Sequence, residues 1–193
     1  MKQIISMIML GLVLAVPTQA VQGQTITEIV ASSGGEFDNN FLDYDILLNA
    51  VVTANLADTL NDPDLNVTVF APNDFAFILT ARDLGYDGFS EEGAWNFLVG
   101  AFTELSDDGN PVTLLTQVLL YHVSPDNLPL RRVVFSRRVH TLQGSIIRPR
   151  FFRLRDNDRH IPDPFLFFPF TNINADNGRI HTITRVLIPI NLP

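Results

Sequence analysis

From Tyr44 onward, apolar residues recur at three- and four-residue steps, at Leu47, Leu48, Val51, Val52, Leu56 and Leu60. That spacing lays one buried stripe along a helix, and the stripe runs into Asn61-Asp62-Pro63, a turn cluster whose proline cannot continue it. A shorter helix is predicted over 26–31, ahead of Ser32-Ser33-Gly34-Gly35. Over 66–71 the pattern becomes an alternation rich in β-branched and aromatic residues, which predicts a strand stopped by Pro72. Asn73 is a good helix N-cap and Asp74 meets the positive end of the helix dipole, so a helix is predicted over 75–81. A Gly- and acid-rich loop over 85–93 leads to a helix around 94–105. Another follows over 112–122, with Leu115, Val118 and Leu119 as its buried stripe and Pro125 and Pro129 beyond it. After Arg131 the chain turns to short β-like runs at 132–135, 139–142, 145–147, 151–154, 165–168 and 179–188. Helices first and mostly strands later, with one early strand that must join the late sheet, is an α+β arrangement with non-sequential strand pairing.

The first residues alter where this domain is expected to work. Lys2, an apolar run over 4–16, Pro17 and the ending Thr18-Gln19-Ala20 follow the order of a secretory signal peptide. The run is shorter than the roughly 20 apolar residues of a membrane span. The expectation is a signal peptide over 1–20, with cleavage as late as residue 23, and a domain over 25–190. The mature protein is then secreted or extracellular, in the periplasm or at the cell surface if bacterial, and has no transmembrane segment. The segment 188–193 is too short and Pro-broken for a lipid-anchor signal. The chain has no cysteine, so disulfides and thiolate chemistry are excluded and the core alone must hold the fold. About 170 mature residues suffice for that, burying roughly 70% of the unfolded surface.

Charge is segregated. Residues 24–130 hold 17 acids against Arg82, whereas 131–159 hold nine arginines against Asp156 and Asp158. The only lysine, Lys2, lies in the expected signal peptide, so every other basic side chain is an arginine, whose planar fork matches carboxylate, sulfate or phosphate. Two readings follow: solvated strand faces, or a surface for a polyanion or an acidic partner. The candidates for the second are Arg148, Arg150, Arg153 and Arg155. Their parity changes between Arg150 and Arg153, so a regular strand would split them across two faces unless a bulge at Phe151-Phe152 realigns them.

Catalytic and metal signatures are missing from the sequence. There is no Gly-x-Ser-x-Gly turn, and the four histidines, His122, His140, His160 and His181, stand at no zinc-ligand spacing. The acids at Asp156, Asp158 and Asp163 lack EF-hand order and are flanked by arginines, so a solvated loop is expected there. No glycine-rich phosphate loop follows a strand. The reading is a non-enzymatic protein without cofactor or metal, and an acidic secreted chain does not point to nucleic acid. Asn66-Val67-Thr68 is a glycosylation sequon near a surface, usable at Asn66 only in a eukaryotic pathway.

Three stretches in order resemble the FAS1 (fasciclin) domain family. Thr68-Val69-Phe70-Ala71-Pro72-Asn73-Asp74-Phe75-Ala76-Phe77 is similar to its first signature, Leu119-Leu120-Tyr121-His122-Val123 to its tyrosine-histidine motif, and Gly178-Arg179-Ile180-His181-Thr182-Ile183-Thr184-Arg185-Val186-Leu187-Ile188-Pro189 to its closing signature. The stretches 85–111 and 148–170 depart from the family pattern, and Thr184 stands where an acidic residue is common. The resemblance implies a FAS1-like α+β fold, N-terminal helices packed on a mixed β-sheet or wedge built mostly by the C-terminal half. It also implies an adhesion or matrix module that binds an extracellular protein or polysaccharide, with Asn73, Asp74, Tyr121 and His122 as binding candidates. On the residues alone, His122 reads as a core histidine partnered by Asn73 or Asp74. A carrier of an apolar small molecule such as a carotenoid is the alternative. It draws on the 15 Phe of the chain and on Phe165-Leu166-Phe167-Phe168-Pro169-Phe170, which otherwise reads as a buried strand pair capped by prolines.

Overall fold

The computed structural model describes residues 23–38 and 40–190; the expected signal peptide lies outside the described residues. Helices α1 (Ile26–Ser33), α2 (Asp45–Thr53) and α3 (Ala57–Leu60) precede strand β1 (Val67–Pro72). Helices α4 (Asp74–Asp83), α5 (Glu91–Leu105) and α6 (Pro111–Tyr121) follow, then β2 (Val123–Ser124) and α7 (Leu130–Phe135). The last third is β3 (Val139–His140), β4 (Ile146–Arg150), β5 (Arg153–Arg155), β6 (Leu166–Ala175) and β7 (Gly178–Ile183).

The early strand joins the late sheet as expected. β1 pairs in parallel with β7, from Val67 opposite Gly178 to Pro72 opposite Ile183, and the main sheet runs β2-β1-β7-β6. All six residues of β1 are buried, because neighbours cover both edges and both faces. Val67, Val69 and Ala71 face a core built with α1, α2, α4, α5 and α6. Phe70 faces a second core with Tyr121, Val133, Ile147, Leu154 and Leu187, which a smaller sheet in the order β3-β4-β5 helps to close. Gly178 enters β7 at φ 150°, a backbone that suits glycine, and an added Cβ would collide with the Val67 carbonyl of the paired strand.

Three local expectations need correction. The stripe from Tyr44 to Leu60 is two helices, since Asn55 adopts φ 55° and breaks it; Val52, assigned to the buried stripe, is 60% exposed. The run 132–135 is helical in α7. Pro129 caps that turn, its carbonyl accepting the Arg132 amide at 2.7 Å, and Val133 is the residue it buries, so β-propensity yields to context. The run 151–154 is not one strand, because Phe151 and Phe152 form the turn between β4 and β5.

Candidate functional site

The four motif candidates are interior residues. Asn73 is 3% exposed, Asp74 0%, Tyr121 0% and His122 2%. The Asn73 Oδ1 accepts the Ala76 amide at 3.0 Å, which caps α4. Asp74 works across the fold: its Oδ1 accepts the Ile46 amide at 2.8 Å and its Oδ2 the Asp45 amide at 3.1 Å, satisfying free donors at the start of α2. Tyr121 donates to the Ile146 carbonyl at 3.3 Å, and burial pushes its phenol up.

His122 is inward-facing, but its partners are neither Asn73 nor Asp74. Its Nε2 accepts the Leu187 amide at 2.9 Å, so Nδ1 carries the proton and donates to the Val118 carbonyl at 2.7 Å. Burial depresses its pKa to about 4. The imidazole thus fastens the tyrosine-histidine motif to the closing signature. His181 does similar work: Nδ1 accepts the Asn172 amide at 3.2 Å and Nε2 donates to the Leu128 carbonyl at 2.8 Å. Thr184 bonds Phe165 through both its amide and its hydroxyl, an uncharged link where the family commonly has an acid.

The four arginine candidates come together on one surface. In the β4–β5 hairpin Arg148 lies opposite Arg155 and Arg150 opposite Arg153, all four exposed, while Ile147, Pro149 and Leu154 point inward. The realigning device is a two-residue turn, not a bulge. Arg148-Pro149-Arg150-Phe151-Phe152-Arg153-Leu154-Arg155 is a mirror pattern about Phe151-Phe152, and a two-residue turn at its centre returns every arginine to the same face. That symmetry is the sequence signal that identifies the hairpin. Phe151 sits at φ 58°, a strained conformation for a side chain of its size. Like charges directly opposite each other in a sheet also cost stability.

Three acids, Asp156, Asp158 and Asp163, lie beside these arginines. Arg153 pairs with Asp163 at 2.8 Å. Among the described residues, no ion pair joins an arginine of 131–159 to an acid of 24–130; the ion pair between two fully charged side chains elsewhere is Arg185–Asp83. Asp156, Asp158 and Asp163 are buried, contrary to the solvated loop expected. Asp156 accepts the Ile188 amide at 2.8 Å and the Asp158 amide at 3.1 Å, and burial pushes it up to about 7. Asp158 accepts the His160 and Ile161 amides. Asp156 and Asp158 hold backbone, and Asp163 holds Arg153.

The Phe-rich run is not a buried pair. Phe165, Phe168 and Phe170 are 47%, 59% and 46% exposed, and Phe151 and Phe152 at the hairpin tip 69% and 45%. The run touches the hairpin directly: Leu166 donates its amide to the Phe152 carbonyl at 2.8 Å, and the Phe152 and Phe168 rings meet edge to face at 5.9 Å. Sequence reasoning kept arginines and phenylalanines apart, and the fold joins them into one basic, aromatic surface. The apolar cavity between α1, α2 and β1, lined by Ile26, Val30, Leu47, Val51, Val69 and Leu119, measures about 40 Å³. That holds a few waters at roughly 10–15 Å³ each and is far below the roughly 300–1,000 Å³ of small-molecule pockets.

A family model for the fasciclin domain matches residues 42–189. Among solved structures, the chain is similar to a FAS1 domain pair from the insect cell adhesion molecule fasciclin I, with TM-score 0.54 and 15% identity over 86% of this chain. The chain spans about half of that pair, 51% of its length, and the likeness concerns the fold. A search of curated protein sequences finds no match. No described helix is long and apolar enough to cross a membrane. With its three signatures, its β1–β7 pairing and a model match over most of its length, the chain belongs to the fasciclin (FAS1) domain family.

Proposed function

We propose that this protein is an extracellular, non-catalytic matrix-binding module that attaches to an acidic polysaccharide through the β4–β5 hairpin and the adjoining phenylalanines. The observation that carries the reading is the hairpin register, which sets four arginines on one exposed face in directly opposed pairs. Guanidinium forks suit carboxylate and sulfate, and an anion bound between opposed arginines offsets the repulsion that the register imposes. Exposed aromatic surface beside them supplies an apolar platform of the kind that marks binding faces. Adhesion through such a face requires no nucleophile or metal, and a signal peptide over 1–20 would carry the domain to where matrix polymers are met. Asn66 is exposed at the foot of β1, with its amide oxygen held by Asn127 at 2.7 Å, and is the position a glycan would occupy.

The test is retention on immobilised heparin as a model acidic polysaccharide. Retention should weaken steeply between about 50 and 200 mM salt, as screening shortens to about 8 Å. Changing Arg148, Arg150, Arg153 and Arg155 together to serine should abolish it without unfolding the domain. Absence of retention at low salt, or retention unchanged in the quadruple variant, would leave these arginines as ordinary solvated residues. Retention on an acidic protein but not on heparin would replace the polysaccharide with a protein partner.

A further inference from the structure

Five carboxylates converge where the loop before α2 meets the first turns of α2, α4 and α5. Ligand oxygens of Asp38, Asp43 and Asp45 lie within 4.8 Å of one another, and so do those of Asp43, Asp74 and Glu91. The group is interior: Asp45 is 0% exposed, Asp74 0%, Glu91 1% and Asp43 5%. Only part of its acceptor capacity is used. Asp74 accepts the amides of Asp45 and Ile46, Glu91 Oε2 accepts the Asp38 amide at 2.7 Å, and Asp43 Oδ2 accepts Asn40 Nδ2 at 2.9 Å. Oε1 of Glu91 is buried with no hydrogen-bond partner, and the buried oxygens of Asp45 and Oδ1 of Asp43 lack a well-formed one, although the Gly35 backbone lies beside Asp45 and the Asp74 carboxyl beside Asp43. Among the described residues, none of the five is in an ion pair with an arginine or histidine. Gly34 lies against the Asp45 carboxylate, which would collide with any Cβ there; its extended backbone is open to every residue, so it is the space that calls for glycine.

An unpaired buried carboxylate costs several kcal/mol, and here several such groups repel one another. Protons offer partial relief. Burial and the neighbouring Asp43 hold Asp74 well above the usual carboxylate range, and burial followed by nearby acids pushes Asp45 and Glu91 up as well. Yet a proton serves one oxygen at a time and leaves other acceptors orphaned. A cation placed within either set serves several acceptors at once. Three oxygens up to 4.8 Å apart lie at most about 2.8 Å from a common centre, so one ion at the roughly 2.3–2.6 Å calcium–oxygen distance meets either set of three after side-chain shifts of a few tenths of an ångström. An all-oxygen, carboxylate-rich set suits hard cations over zinc or copper. Magnesium keeps its water and seldom takes a cage of protein carboxylates, whereas calcium accepts many in irregular geometry.

We propose that these carboxylates form a calcium site centred on Asp43, the member common to both sets, with Asp45 and the rim residue Asp38 on one side and Asp74 and Glu91 on the other, and that it ties the loop before α2 to α4 and α5. It is independent of the arginine surface.

The test begins with the purified protein stripped by EDTA, desalted, and titrated with calcium chloride to about 10 mM, above the 10⁻⁴–10⁻³ M range of extracellular calcium modules. Calorimetry should show saturable uptake, and the melting temperature should rise by several degrees. Magnesium chloride at the same concentration should give a smaller rise. Asp45→Asn should lose both the uptake and the calcium-dependent rise, while in EDTA it melts at or above the parent because one buried charge is gone. Glu91→Gln is the second variant should Asp45→Asn not fold, with the same loss expected, and Asp108→Asn, in an exposed turn, should respond like the parent. No saturable uptake by the folded parent, unchanged uptake in Asp45→Asn and Glu91→Gln, or equal uptake of magnesium would overturn the proposal.

Discussion

The β4–β5 hairpin and the carboxylate cluster at the head of α2 pose the same electrostatic problem, like charges held close together, and the fold treats them in opposite ways. The arginines are exposed, so water and salt screen them and their mutual repulsion is modest. The carboxylates are interior and partly unpartnered, so screening fails and they depend on protons or a cation. The difference teaches where each group acts. A solvent-facing charge array is dispensable to folding and available to a partner, whereas a buried one is coupled to the stability of the elements it joins.

The largest expected effect tests the exposed side of this contrast. The quadruple Arg→Ser variant should lose heparin retention entirely and, because Asp163 is left buried without Arg153, lose some stability, whereas the triple variant that keeps Arg153 should melt within about 0.5 kcal/mol of the parent, as exposed substitutions do. A marked fall in the stability of the triple variant would erase the distinction between the two regions.

Acid sharpens the interior side. The imidazole of His122 is held neutral, with its pKa depressed to about 4 against an unfolded value of about 6.5. Its contribution is fully present above about 6.5; below that the unfolded chain takes the proton first, and stability is lost until the folded pKa is reached. By linkage this amounts to about 2 kcal/mol between pH 7.5 and 5, and His181, lowered by burial, acts in the same direction. The raised acids Asp74 and Asp156 act oppositely, so the parent alone cannot isolate His122. His122→Ala can. At pH 7.5 it should destabilise by about 1–3 kcal/mol, because the Leu187 amide and Val118 carbonyl lose their partner. Chemical denaturation at pH 5 should find that gap nearly closed, and a gap of unchanged size would contradict the neutral, bridging histidine.

The smallest effect returns to the hairpin. Phe151→Gly relieves a left-handed residue and should stabilise the fold by about 1 kcal/mol. Weaker heparin retention in that variant would identify its ring as part of the binding face.

Much of the fold was legible because it rests on local periodicity. The stripe Leu115, Val118 and Leu119 placed α6, Asn73 placed the start of α4, and the signatures around Val69 and Ile180 implied the strands that pair as β1 and β7. What escaped depends on context. Asn55 breaks a stripe that reads as continuous, and Val133 and Val134 turn in a short helix despite their β-branched character. The hairpin was within reach, since a mirror pattern centred on Phe151-Phe152 demands a turn there, but counting parity along a single strand hid it. The carboxylate cluster had no local signal at all. Asp38, Asp43, Asp45, Asp74 and Glu91 come from four segments and meet only once three helix starts are brought together.

The contrast between the two regions is tested most directly by one paired measurement, heparin retention at low salt and melting temperature, on the parent, an arginine variant that changes Arg148, Arg150 and Arg155 to serine and keeps the Arg153–Asp163 pair, and Asp45→Asn. The account predicts that the arginine variant loses retention and keeps its melting temperature, while Asp45→Asn keeps retention and loses the calcium-dependent rise in melting. An arginine variant that is still retained, or one that loses retention only because it has unfolded, would contradict it.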